Sequence, residues 1–450
     1  MTMSTHSPRI SRRTLLAGAT VLGLSGTLAA CGGSDDSDDS GKNDGDSGTP
    51  VKLTYWSWAP NMEKVAAIWN KKNPNITVTV SKQASGGEIV SKLITAKKAG
   101  NAPDLIQAEY QSLPTLVSND VLADIAKYAG DAKSEFAEGL WGMVTLGTDA
   151  VYAIPQDSGP LMFYYREDLF KQHGLKVPTT WTEFAETARA AKKALPKSYL
   201  TTFSANDPGL FAGLAQQAGA KWWTVDSGGT WTVAIDDAAT KQVTEFWGGL
   251  VQEGVIDNQP MYTPAWNNAL NKGTHIGWVS AVWAPGVLVS SAPDTKGKWR
   301  MAPLPQWKAG DNVTGSWGGS STAVSTDSRH AEAAAKFARW INTDPEALAA
   351  LVKEAAIYPA ATKGQSGSIL TTPEFFPNQP DFYDTAAEIA ATTAASAWGP
   401  NVTIAYTTFN DAFGKASKAK KEAQFLTALT DMQSKTFDDM KKQGFKVAGA

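Results

Sequence analysis

The sequence predicts an α/β protein made of two domains. Three observations lead there. Between residues 51 and 108 the apolar pattern runs strand, helix, strand, helix, strand, the order that builds a parallel sheet with helices on its faces. The same pattern continues beyond residue 160. The body from Val51 to Ala450 has 400 residues, more than one hydrophobic core normally supports.

The elements follow in order. Val51–Trp58 reads VKLTYWSW, alternating apolar and polar as a strand does. Met62, Val65, Ala66, Ile68 and Trp69 then line one helix face, and Asn73-Pro74 stops it. Ile76, Val78 and Val80 alternate as a second strand. Residues 86–99 form a helix with Ile89, Val90, Leu93 and Ile94 inward, and residues 104–108 form a short strand after the turn at 100–103. Leu161–Tyr165 is an apolar, aromatic strand. Pro178 to Glu183 opens a helix with a capping box, in which Thr180 accepts from the backbone and Glu183 reaches back. A Trp- and Gly-rich middle runs from about Trp222 to Trp317. Residues 327–342 form a helix carrying Ala334, Phe337, Ala338 and Ile341. The next helix takes Asp344 as its cap and Pro345 as its first residue. The chain closes on a long amphipathic helix with Phe425, Leu429, Met432 and Phe437.

The first 31 residues read as an address. Arg9, Arg12 and Arg13 precede an apolar run from Leu15 to Ala30, whose 16 residues fall short of the roughly 20 a membrane span needs. Ser11-Arg12-Arg13-Thr14-Leu15-Leu16 fits a twin-arginine signal, and paired arginines also occur in ordinary secretory signals, so both export routes stay open. Leu28-Ala29-Ala30-Cys31 resembles a lipobox, with Cys31 as the lipidated first residue of the mature chain. Cys31 is the only cysteine, which excludes an internal disulfide and any CxxC motif. Residues 32–50 carry six Asp against one Lys and nothing to anchor a core. They are expected to be a disordered leash, roughly 25 Å as a coil and about 65 Å at full stretch. Loss of the three leader arginines takes the formal charge from −3 to −6. With no basic stripe, a nucleic-acid partner is not expected. No second apolar run reaches membrane-span length, so contact with the membrane is expected through the lipid alone.

Catalytic signals are sparse. Of four His, His6 lies in the leader, and His173, His275 and His330 stand apart, with no metal-ligand spacing. No GxSxG elbow, P-loop or GxGxxG occurs, so neither a metal nor a nucleotide cofactor is expected. Glu109, Asp157 and Asp207 could supply a glycosidase-like carboxylate pair, since folding alone brings such a pair together. The same carboxylates could instead accept hydrogen bonds from a ligand's hydroxyls, the reading favoured here. Among 17 Trp, several stand beside Gly, Pro or Ser: Trp56, Trp58, Trp283, Trp317 and Trp398. Such an indole offers a flat apolar face on which a sugar ring stacks, while carboxylates take its hydroxyls. Trp69 and Trp340 sit on helix faces as core residues, and Trp181 fixes the entry of its helix.

These pieces, taken in order, resemble the extracellular solute-binding proteins of bacterial ABC sugar importers, the group that includes maltose-binding protein. The resemblance runs from Val51 to about residue 445. It is carried most specifically by Tyr152-Ala153-Ile154-Pro155, by Phe163-Tyr164-Tyr165-Arg166-Glu167-Asp168-Leu169-Phe170, and by Pro178-Thr179-Thr180-Trp181-Thr182-Glu183-Phe184. Tyr55-Trp56-Ser57-Trp58, Ala102-Pro103-Asp104-Leu105 and Tyr358-Pro359-Ala360 support it. The resemblance implies a two-lobe periplasmic-binding-protein-like fold with a central ligand cleft. Lobe 1 would hold residues 51–157 and 308–358, and lobe 2 residues 158–307 and 359–450. The chain would cross between them at Ile154–Pro160, at Pro303–Trp307 and near Tyr358–Ala361. It implies ligand contacts from Trp58, Glu109, Asp157, Ser158, Asp207, Trp283, Trp317, Gly318, Gly319 and Trp398. It further implies a monomeric receptor, anchored by lipid to the outer face of the membrane, that delivers a sugar or oligosaccharide to ABC permease subunits. The alternatives are an exported carbohydrate-active enzyme and a receptor for another solute such as a glycerol phosphoester.

Overall fold

The computed structural model of the protein describes residues 50–84, 87–226, 228–365, 367 and 369–448. The expected leader, Cys31 and the acidic segment as far as residue 49 lie outside the described residues. In chain order the strands are β1 (Val51–Ser57), β2 (Ile76–Lys82), β3 (Leu105–Glu109), β4 (Ala153–Pro155), β5 (Leu161–Arg166), β6 (Trp223–Val225), β7 (Trp231–Val233), β8 (Gly277–Ala281), β9 (Trp299–Pro303), β10 (Ser320–Val324) and β11 (Val447–Ala448).

The first lobe is built on a five-stranded sheet of order β2-β1-β3-β10-β4. β1 pairs in parallel with β2 and with β3, as the strand–helix alternation predicts. The helix Met62–Lys72 makes the first crossover and buries Met62, Val65, Ala66 and Trp69. The sheet is not wholly parallel, however. β10 runs antiparallel to both β3 and β4. Its direction is set by a return of the chain from residue 320, which no local pattern near residue 105 can reveal. β10 is buried along its whole length, as a central strand covered on both faces should be.

The second lobe departs further from the parallel expectation. Its sheet has the order β8-β5-β9, and β5 pairs antiparallel with both neighbours. All six residues of β5 are buried, including Arg166, whose guanidinium is held bidentately by Asp168 at 2.8 and 2.6 Å. A third sheet, β11-β7-β6, ties the end of the chain to the Trp-rich middle.

Helix ends follow their sequence signals. The Thr180 hydroxyl accepts from Glu183 N at 3.1 Å, and the Glu183 carboxylate accepts from Thr180 N at 3.3 Å. Trp181 is 1% exposed among Phe184, Phe246, Trp247 and Trp307, and its Nε1 donates to Gln217 at 3.0 Å. Asp344 accepts from Glu346 N and Ala347 N at 3.0 and 3.2 Å, with Pro345 opening the helix. The helix expected from residue 327 starts only at Ala331. The Ser325 hydroxyl accepts from Asp327 N at 3.1 Å, and this local turn takes the place of a first helical turn.

Three segments lie side by side between the lobes. Gln156 N and Asp157 N donate to Ser320 O, Trp317 N donates to Gly159 O, and Leu161 N donates to Gly315 O. Ala360 N donates to Gln156 O, and Ser158 N to Tyr358 O. The stretch alongside residues 156–161 is therefore 315–320, some way beyond the expected Pro303–Trp307. Pro303 ends β9, and Gln306 is engaged by the backbone of Thr179 and Trp181 within the second lobe.

Candidate ligand-binding site

A cavity of about 240 Å³ opens beside these crossing segments. Element ends and loops place most of its wall. Glu109 is the last residue of β3, followed directly by Tyr110 and Gln111. Asp207 caps the helix Pro208–Gln217 and accepts from Leu210 N at 3.1 Å, so its carboxylate is fixed at a helix start. Trp317 and Gly318 come from the second of the three crossing segments, just before β10. Trp398 lies in the loop before the helix Val402–Ala419, and Tyr406 on that helix. Met143 reaches in from the helix Glu138–Thr145.

The electrostatics of this cavity are one-sided. Among the described residues its lining contains Glu109 and Asp207 but no Lys, Arg or His. Burial, and then the charge of Asp157, push the Glu109 carboxyl up to about 7. Burial pushes Asp207 up to about 7 as well, against the hydrogen bonds from Leu210 and Gly209 N–H. The Tyr406 hydroxyl is raised well above its usual range by burial and then by the charges of Glu109 and Asp207. Gln111 Nε2 donates to Glu109 at 3.0 Å and holds its carboxylate in place. Two acceptor-rich carboxylates among aromatic faces suit a neutral, hydroxylated ring: its hydroxyls donate to the carboxylates while its C–H face lies on an indole. Among the described residues no group of three His, Cys, Asp or Glu is arranged to hold a metal ion.

Of the residues expected at the site, Glu109, Asp207, Trp317, Gly318 and Trp398 line this cavity. The others stand around it. Asp157 accepts from both the backbone N–H and the hydroxyl of Ser320, the latter at 2.6 Å, so its carboxylate is spent on pinning the crossing segments together. Ser158 is 4% exposed, and among the described residues its hydroxyl has no hydrogen-bond partner. Trp58 is half-buried just past the end of β1, where its backbone N–H donates to the Gln107 side chain at 3.1 Å. Trp283 is half-buried behind Trp317. Gly319 has φ +95°, and a Cβ there would lie 2.7 Å from the Tyr110 ring, so only glycine lets Tyr110 reach Asp157 O with its hydroxyl, at 2.8 Å.

Sequence reasoning missed Tyr110, Gln111, Met143 and Tyr406, which line the cavity from helices whose inward face is set by packing. It also missed Tyr262, a 47% exposed aromatic at φ 61° whose ring lies 6.3 Å from Trp317. The neighbouring charge of Asp207 adds to burial in raising its hydroxyl.

The chain was compared with known proteins. The family model described as bacterial extracellular solute-binding protein matches residues 55–348. A lactose-binding protein of Rhizobium radiobacter is 29% identical over 309 residues, covering 64% of this chain and 69% of that protein. The galacto-N-biose/lacto-N-biose I-binding protein of an ABC transporter from Bifidobacterium longum, solved with lacto-N-biose, superposes with a TM-score of 0.78 at 28% identity, over 90% of this chain and 100% of that one. An ABC-transporter-associated binding protein from B. animalis subsp. lactis Bl-04, solved with β-1,6-galactobiose, gives 0.73 at 26% identity, over 89% and 100%. A two-lobe α/β body, a cavity beside its crossing segments and a match over most of the chain converge, and the chain belongs to the bacterial extracellular solute-binding protein family.

Proposed function

We propose that this chain is an extracytoplasmic receptor that captures a sugar or short oligosaccharide in the cavity between its lobes and hands it to an ABC permease. The observation that carries this reading is the pairing of Glu109 and Asp207 with Trp317, Trp398 and Tyr406 in one cavity free of basic side chains. The similarity to proteins named for lactose, lacto-N-biose and β-1,6-galactobiose supports it. A phosphoester receptor would want Arg in the cleft. Arg166 is held by Asp168, and Arg300 lies 3.4 Å from Glu167, so neither serves the cavity.

In this reading the lobes comprise residues 51–157 with about 320–358, and 158 to about 315 with 359–450, the chain crossing back at 315–320. Trp58, Asp157, Ser158, Trp283 and Gly319 support the ligand contacts made by the cavity lining. The glycan leaves unchanged, with no bond broken. Cys31 carries the lipid, residues 32–50 form the leash, and the receptor works as a monomer. Thermal melting against a panel of mono- and oligosaccharides tests the reading: a true ligand at a hundredfold excess over Kd adds about 2.7 kcal/mol of stability. Shortening of a bound oligosaccharide on incubation would move the chain to the enzyme class instead.

A further inference from the structure

Resting on the sugar-receptor reading, we propose that Trp398 is a fixed partition that limits the glycan to one or two rings by closing the ligand cavity off from an apolar space walled by Trp223 and Trp231. Trp398 borders three separate spaces. One is the ligand cavity, about 240 Å³. The second is an almost wholly apolar space of about 30 Å³, lined from the first lobe by Pro114, Val117 and Leu146, and from the other side by Trp223, Trp231 and Pro400. The third, about 10 Å³, lies beside Trp222. The ligand cavity is itself smaller than the roughly 300–1,000 Å³ of most small-molecule pockets, which points to a short ligand.

The space behind Trp398 is closed by a second layer of buried indoles. The Trp223 and Trp231 side chains are 0% and 6% exposed, and among the described residues neither indole N–H has a hydrogen-bond partner. The rings of Trp222 and Trp223 lie 6.5 and 6.4 Å from that of Trp398, so a second layer of indoles stands behind the first.

Trp398 is held as a wall, not hung as a gate. Its neighbour Gly399 sits so close to Trp223 that a Cβ would come within 2.2 Å of the indole edge. The Trp398 ring is 7% exposed and meets Tyr406 at 90°, with centroids 6.1 Å apart. Swinging it aside would break its ring contacts with Trp222, Trp223 and Tyr406. Shrinking the side chain joins the spaces without moving the backbone.

The test is calorimetric titration of the purified protein with β-galactooligosaccharides and maltooligosaccharides of one to four rings. In the series that binds, the wild type should favour the one- or two-ring member over the four-ring member by at least about tenfold. Trp398→Ala should narrow that ratio through a gain for the longer member, and Trp398→Phe should keep the wild-type order. Melting curves without ligand identify the folded variants, and Trp398→Leu replaces the alanine variant if that one does not fold. A wild type that binds four rings as tightly as two overturns the proposal. So does a small residue at 398 that weakens every length by the same factor. Failure to bind any member of these series or of the wider panel would overturn the receptor reading itself, and this proposal with it.

Discussion

The indole N–H of Trp283 donates to the backbone carbonyl of Trp317 at 3.2 Å, and the two rings meet edge to face with centroids 4.7 Å apart. Trp283 thus stands behind Trp317, which lines the cavity. Trp283→Ala should weaken glycan binding by roughly 1–2 kcal/mol, the combined scale of one hydrogen bond and one aromatic pair. Trp283→Phe keeps a ring but loses the N–H, and should recover part of the loss. Trp317→Ala should cost more than Trp283→Ala. Titration of the three variants checks this order, and an unchanged affinity in Trp283→Ala would contradict the buttress.

The cavity carboxyls make both stability and affinity depend on pH. Folding raises Glu109 and Asp207 to about 7 through burial, against about 4 in an unfolded chain. Between those values the folded state holds the extra protons. Their contribution to stability is therefore full at the acid end, declines as pH rises through the window, and is flat above it. Glu109→Gln with Asp207→Asn should remove that slope from the melting temperature of the unliganded protein. Ligand hydroxyls donate to the ionised carboxylates, so affinity should move the other way and be higher at pH 8 than at pH 6. Titrations at the two pH values decide; an affinity higher at pH 6 would show that the carboxyls act as donors.

Asp157 is expected to matter for folding more than for recognition. Removing its carboxylate leaves Ser320 N and Oγ without their acceptor between the lobes. Asp157→Ala should destabilise the protein by about 1–3 kcal/mol in urea unfolding. The surviving folded fraction should bind within a few-fold of wild type. A normal midpoint with abolished binding would return Asp157 to the ligand.

Much of this arrangement was legible in the residues, and the rest had physical reasons for staying hidden. The capping box at Thr180 and Glu183, the Asp344-Pro345 start and the first three strands are local signals, and the structure follows them. The direction of β10 and the antiparallel neighbours of β5 depend on where a distant segment returns, so strand-by-strand reading makes them parallel by default. At the site, Glu109, Asp207, Trp317 and Trp398 mark element ends or loops that punctuation residues identify. Tyr406 lies within the helix Val402–Ala419, and which of its faces meets the cavity is decided by packing. Asp157's position at a crossing was readable, while its partner Ser320, 163 residues away, was not.

The anchor can be checked apart from the fold. Cys31→Ser should leave melting behaviour and binding unchanged while releasing the protein from the membrane fraction, since one residue would carry the acyl chains. A variant that stays with the membrane would contradict lipidation at Cys31.

The central claim is that a glycan is held by the two carboxylates and the Trp317 face together. The most direct measurement is calorimetric titration of wild type and of Glu109→Gln/Asp207→Asn with the glycan that most raises the melting temperature. The account predicts saturable binding of one glycan per chain in the wild type and a loss of at least about tenfold in the double variant, the scale of one or two hydrogen bonds to charged groups. Binding that is undiminished when both carboxylates are removed would contradict it.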